Sequence, residues 1–256
     1  MPDSPGGPPL TLLGSDRQLE DGELAQLYGY PEDHDGVWVR SNFITSLDGG
    51  ATADGTTSAM GGPGDKFIFN LLRELADVIL IGAGTVRIEN YSGAQVNVAQ
   101  RQRRQARNQS EVPPLAIVTK SGALDRNLGV FTRTEVPPLV LTAAAAAAET
   151  QHCLAGLAEV IGCSGDDPGS VDEAVVLAQL AARGMTRILT EGGPMLHGSF
   201  IDRGLLDELC LTIAPVVVGG LARRIATGPG QVLTRMRCAH MLTDDAGYLY
   251  TRYVKA

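Results

Sequence analysis

Between Val78 and Arg203 short, largely apolar runs alternate with segments of helical period, and this alternation limits the chain's possible folds more than any other feature. The runs at 78–82, 115–119, 139–142, 160–163 and 187–190 have the length and composition of strands covered on both faces. Phe67, Leu71, Leu72 and Leu75 recur at helical spacing and predict a helix over 67–76, with further helices over 143–158, 171–183 and 194–203. The alanines at 143–148 need no reading beyond helix propensity. A β-branched stretch over 37–44 supplies a strand ahead of the series. The end differs: a strand over 207–214 is followed by 239–243 and 248–254, a hairpin joined by Asp244-Asp245-Ala246-Gly247. Strand–helix repeats closed by a β-rich end predict an α/β three-layer sandwich, its central sheet mixed and mostly parallel with an antiparallel C-terminal hairpin.

Residues 1–9 are too rich in proline and glycine to bury apolar surface that would offset ordering entropy, and read as a mobile tail. A helix over 21–28, capped by Asp21, precedes a turn at His34-Asp35-Gly36. The expected division is therefore 1–30 as tail and short helix and 31–256 as a single domain. A net charge of −8 argues against nucleic acid as a partner. There is no apolar run of membrane-spanning length and no basic-then-apolar leader, so the expected location is cytoplasmic, without a membrane partner. The cysteines and histidines are scattered, with neither a Cys-x-x-Cys pair nor a His-Glu-x-x-His array, and no metal site is expected. Arg101, Arg103, Arg104 and Arg107 read as a solvated loop or helix face.

The sharpest local signal is Thr190-Glu191-Gly192-Gly193-Pro194-Met195-Leu196. A strand stops at a carboxylate, two glycines allow close backbone approach, and proline opens a helix where its missing N–H costs nothing. Amides at such a helix start suit a phosphate or pyrophosphate; a tight strand-to-helix turn is the alternative. Glu191 would face a hydroxyl or cation on the substrate side, or accept backbone hydrogen bonds. A second turn, Gly82-Ala83-Gly84-Thr85-Val86-Arg87, is half of a dinucleotide fingerprint with Arg87 in place of the third glycine. There Thr85 could cap a short helix and offer a hydroxyl. A third, Thr119-Lys120-Ser121-Gly122, supplies an ammonium and a hydroxyl. Three loops that follow three parallel strands converge at one sheet edge, as a dinucleotide needs. Asn42, Asp48, Thr57 and Ser58 add polar groups for a hydroxylated ligand. Asp48 is either a proton carrier or a former of the Asp48-Gly49 turn.

Taken in order, Ser46-Leu47-Asp48-Gly49, Leu71-Leu72-Arg73 with Ala76-Asp77, Gly82-x-x-Thr85, Glu191-Gly192-Gly193-Pro194, Leu206-Asp207-Glu208, Ile213-Ala214-Pro215 and Gly219-Gly220 resemble the reductase domain of riboflavin biosynthesis. The resemblance covers about Val37 to Tyr253. It implies a dihydrofolate-reductase-like fold and reduction of 5-amino-6-(5-phosphoribosylamino)uracil with NADPH, by hydride transfer to a C=N carbon. It further implies that Ile44, Gly82, Thr85, Glu89 and the stretch Gly192, Gly193, Pro194, Met195 and Leu196 line the NADPH site, with Lys120 and Ser121 at the 2′-phosphate. Asn42, Thr57 and Ser58 fall on the substrate side, with Asp48 and Glu191 as the catalytic pair, and a homodimer is implied. The zinc deaminase motifs of bifunctional members are not in this chain, which implies a reductase alone. The segment after Glu89 is neutral where the family offers arginine or proline, and Ala59 stands where the family commonly has tryptophan. Two other readings keep the cofactor: a dihydrofolate or pterin reductase, and a non-catalytic NADPH-binding protein.

Overall fold

The computed structural model describes residues 10–12, 17–34, 36–53 and 55–256. The tail expected at 1–9, Asp35 and Asp54 lie outside the described residues. The elements in chain order are β1 (Leu10–Leu12), β2 (Arg17–Leu19), α1 (Asp21–Leu27), β3 (Trp38–Thr45), α2 (Pro63–Leu75), β4 (Val78–Gly82), α3 (Ala83–Ile88), α4 (Val98–Ala106), β5 (Leu115–Thr119) and α5 (Gly129–Thr132). Then follow β6 (Leu139–Thr142), α6 (Ala144–Cys153), β7 (Glu159–Gly162), α7 (Glu173–Ala181), β8 (Arg187–Thr190), α8 (Pro194–Asp202), β9 (Glu208–Ile213), β10 (Met236–Thr243) and β11 (Leu249–Lys255).

All the strands join one 11-stranded sheet in the order β2-β1-β10-β11-β9-β3-β8-β4-β5-β6-β7. From β9 to β7 the neighbours run parallel, while β9, β11, β10, β1 and β2 pair antiparallel. After β7 the chain returns across the sheet and inserts β8 between β3 and β4. The C-terminal ends of β3, β8, β4 and β5 therefore open on one edge, the position where open α/β sheets bind ligands.

Strand alternation divides the core into two layers. Ile79, Ile81 and Ile117 face one side with Ile68, Leu72 and Leu75 of α2. Val78, Leu80 and Ala116 face the other with Val176 and Leu180 of α7 and Phe200 of α8. The α/β three-layer sandwich with mixed sheet is thus the observed architecture.

Several local expectations are corrected. The cap of α1 is Glu20, in a reciprocal capping box with Glu23, because Asp21 already has helical backbone. The short strands β1 and β2 were not expected, and Leu10, Leu24 and Tyr28 are buried in the same core layer as α2. Arg104 is fully buried rather than solvated. Its guanidinium donates to the carbonyls of Glu74 (2.8 Å) and Ala76 (2.6 Å), acceptors at the end of α2, and to that of Ser110 (2.7 Å) beyond α4.

Candidate active site

A cleft of about 1460 Å³ opens at the shared C-terminal edge of β3, β8, β4 and β5. Its volume exceeds the roughly 300–1,000 Å³ of a site for a single drug-sized ligand. Three glycine-containing turns form one wall. Gly82 N donates to Gly192 O at 2.6 Å, which locks the loop after β4 to the loop after β8. Gly192 has φ +79°, and a Cβ there would stand 2.6 Å from the Phe43 ring. A Cβ on Gly193 would collide with the Thr85 hydroxyl. Gly192 is therefore fixed by both conformation and close approach, and Gly193 by close approach alone. Gly193 caps α8 and Pro194 is its first residue, so the amides of Met195 and Leu196 lie in a turn with no acceptor inside the helix.

The cradle is braced from below. Phe43 stacks on His197 with ring centroids 4.4 Å apart, and His197 Nδ1 lies 3.1 Å from the Ile225 carbonyl oxygen. Burial pushes the His197 imidazole down to a pKa of about 4, so it is neutral at pH 7. Thr227 N donates to Pro194 O (3.0 Å) and Ala51 N to Arg223 O (2.7 Å), drawing the 222–230 loop over the helix start.

Glu191 is buried, and its carboxylate is paired within the protein. Arg73 reaches it bidentately, Nε to Oε1 and Nη2 to Oε2 at 2.7 Å each, and the Tyr91 hydroxyl donates to Oε2 at 2.8 Å. Arg73 itself lies 4.0 Å from the centroid of the Phe69 ring. Burial alone would lower the Arg73 pKa, but the Glu191 carboxylate outweighs it and raises the value. Burial, followed by the same carboxylate, lifts the Tyr91 phenol well above its usual range.

The expected residues divide unevenly. Asn42, Ile44, Thr57, Gly82, Thr85, Glu89, Lys120, Ser121, Glu191, Gly193, Pro194, Met195 and Leu196 all line the cleft. Glu89 accepts from Thr57 N at 3.2 Å, joining the substrate-side turn to the end of α3. Gly192 contributes through its backbone. Thr85 lies inside α3 and caps nothing; Gly82 holds the cap position. Ser58 is not among the lining residues, and its hydroxyl pairs with Thr56 at 3.0 Å. Asp48 is not in the lining either. Its exposed carboxylate accepts from the Ser46 hydroxyl and from the amides of Val218 (3.1 Å) and Gly219 (2.7 Å). Those bonds, the Ser46 hydroxyl first, hold its pKa at about 2, which suits a turn clasp and not a proton donor. The sequence reading missed Asp65, Phe69, Arg73, Arg87 and Tyr91, all in the lining. The i, i+4, i+8 spacing of Asp65, Phe69 and Arg73 was the signal for a second, cleft-facing stripe on α2.

This architecture has known counterparts. The description "RibD C-terminal domain" matches residues 37–250, which takes in every strand around the cleft. The chain belongs to the RibD C-terminal domain family. The riboflavin biosynthesis protein RibD of Bacillus amyloliquefaciens is 29% identical over 196 residues, covering 75% of this chain and 50% of that protein. The chain thus spans about half the length of that relative. The 2,5-diamino-6-ribosylamino-4(3H)-pyrimidinone 5′-phosphate reductase of Aquifex aeolicus is 29% identical over 171 residues, covering 67% of this chain and 70% of that one. Among solved structures, a pyrimidine reductase-like protein from Corynebacterium diphtheriae superposes with a TM-score of 0.76 at 27% identity, covering 86% of this chain and 92% of its own. The RibD-type domain is thus present with its sheet, its glycine turns and its cleft.

Proposed function

We propose that the protein is an NADPH-dependent reductase of a ribosylaminopyrimidine 5′-phosphate, acting in riboflavin biosynthesis. The observation that carries this is the cradle in which Gly82 and Thr85 close against Gly192 and Gly193 beneath the first turn of α8. Its donors fit a diphosphate: free main-chain amides at a helix start, with no side chain occupying the approach. Arg87, Lys120 and Ser121 extend it with two cations and a hydroxyl suited to the 2′-phosphate. The cofactor would supply the hydride that the C=N carbon accepts. The chain's own part is positioning: Ile44 and Phe43 floor the cleft, and Asn42 and Thr57 orient a polar substrate opposite the cradle. Arg73 holds Glu191 against the glycine turn, so its carboxylate does not swing toward the anion. With Asp48 committed to its turn, water in the open cleft delivers the proton that the reduced nitrogen takes up.

In the same reading the reductase domain expected over 31–256 also takes in β1, β2 and α1, which extend its sheet and pack into its core, and the protein is located in the cytoplasm. Among the described residues no helix is long and apolar enough to cross a membrane. Two copies pair through the exposed apolar residues Leu47, Val217 and Leu221. Oxidation of NADPH by the purified protein with the phosphoribosylaminopyrimidine is the direct test. Turnover no faster than the blank would overturn the assignment.

A further inference from the structure

One imidazole touches the cradle, the floor and the wall of the cleft without lining the cleft itself. His197 stands one helical turn beyond Gly193 on α8, and its amide donates to the Gly193 carbonyl at 2.9 Å. Its side chain is fully buried. The ring lies on Phe43 at an interplanar angle of 28°, and Phe43 lines the cleft and occupies the space that a side chain at Gly192 would need. At Nδ1 the ring meets the Ile225 carbonyl oxygen. A carbonyl oxygen only accepts, so the single N–H of the neutral ring sits on Nδ1. Nε2 is then a buried acceptor, and no donor among the described residues answers it. An apolar ring of the same size would avoid that cost, but it could not hold Ile225.

Ile225 belongs to the long stretch between β9 and β10, which holds no helix or strand. Arg223, Thr227, Gly228 and Pro229 of this stretch line the cleft. Few bonds hold it. Ala51 N reaches Arg223 O near one end and Thr227 N reaches Pro194 O near the other. Between them, the His197 ring is the one side chain among the described residues that hydrogen-bonds the main chain of 222–230. The strap is seated directly on the helix, since a Cβ at Gly198 would collide with the Thr227 carbonyl. A shift of the strap therefore moves the His197 ring, and the Phe43 ring moves with it. We infer that His197 is a positioning residue that couples the 222–230 strap to Phe43, so that wall and floor of the cleft reach their working positions together. The inference rests on the reductase reading above, in which Phe43 floors the cleft. Hydride transfer is sensitive to such coupling, because a misplacement of about 1 Å costs on the order of 100-fold in rate.

Two substitutions separate the contacts of the ring. His197→Phe keeps the stack on Phe43 and removes the tether, whereas His197→Asn keeps a donor near the place of Nδ1 and removes the stack. Hydrogen exchange of the full chain, read by mass spectrometry with and without NADPH, reports on the strap directly. Without NADPH, the amides of 222–230 should exchange about 10-fold faster in His197→Phe, the effect of one lost hydrogen bond, and at the unaltered rate in His197→Asn. Saturating NADPH steadies Phe43 and should slow the strap about 10-fold in the unaltered protein. Neither variant should show that slowing, because each breaks one link. Should His197→Asn lose its fold, His197→Phe, which keeps the ring volume, decides alone. Slowing of equal size in the variants would mean that the cofactor acts on the strap without His197, and equal exchange of the unaltered protein and His197→Phe would mean that the tether holds nothing. Either result would overturn the inference while the reductase reading stands. Failure of the unaltered protein to bind NADPH would remove the reductase reading itself, and this inference with it.

Discussion

At the scale of single residues, close approach at the glycine cradle makes the sharpest claim. Gly193→Val drives a branched side chain into the Thr85 hydroxyl and across the approach to the α8 amides. The expected outcome is at least a 100-fold loss of NADPH affinity by calorimetry, with the circular dichroism spectrum retained. The histidines give the pH dependence. Burial holds both His197 and His240 near a pKa of about 4, below the ordinary 6.5, so the folded state binds fewer protons than the unfolded one. Stability is then full above about pH 6.5, falls as pH drops toward 4 and levels off below that. The loss is on the order of 3 kcal/mol for each histidine. Urea midpoints at pH 7.5, 5.5 and 4.5 measure it, and His197→Gln should flatten the slope. Glu191 shows what residue-level reading of a sequence can and cannot reach. Its place beside the glycines was legible from the motif, but its cation was not, because Arg73 lies 118 positions away and only the fold brings them together.

At the scale of elements, the strands next to the cleft were the most legible part. The bounds of β4, β5, β6 and β8 follow directly from their apolar runs, since strands covered on both faces leave no ambiguity of face. The strands β1 and β2 are three residues each and carry no period to read. The arginine-rich helix α4 misled for a different reason: its polar composition resembles a solvated face, yet Arg104 spends its charge on main-chain carbonyls. Arg104→Met would leave the acceptors at the end of α2 buried without donors, at a cost of about 3 kcal/mol. Thermal denaturation checks this, and an unchanged Tm would mean that water replaces the guanidinium.

At the scale of the whole molecule, the surface around the 46–49 turn is the unusual feature. Leu47, Val217 and Leu221 are 62%, 72% and 103% exposed, and the Asp48 clasp ties the first of these to the loop carrying the others. If two copies meet there, Val217→Asp combined with Leu221→Asp should halve the mass in analytical ultracentrifugation without unfolding either copy. A monomeric parent protein would remove the dimer from the proposal. The order of strands across the sheet has a consequence of another kind. The strand that separates β3 from β4 is β8, which ends at Thr190, more than a hundred residues after β4. On the ribosome, where synthesis proceeds from the amino end, two half-built walls must wait while more than a hundred further residues are made before the piece that fits between them appears. During that interval their unpaired edges are the natural targets for chaperones, and of premature mispairing.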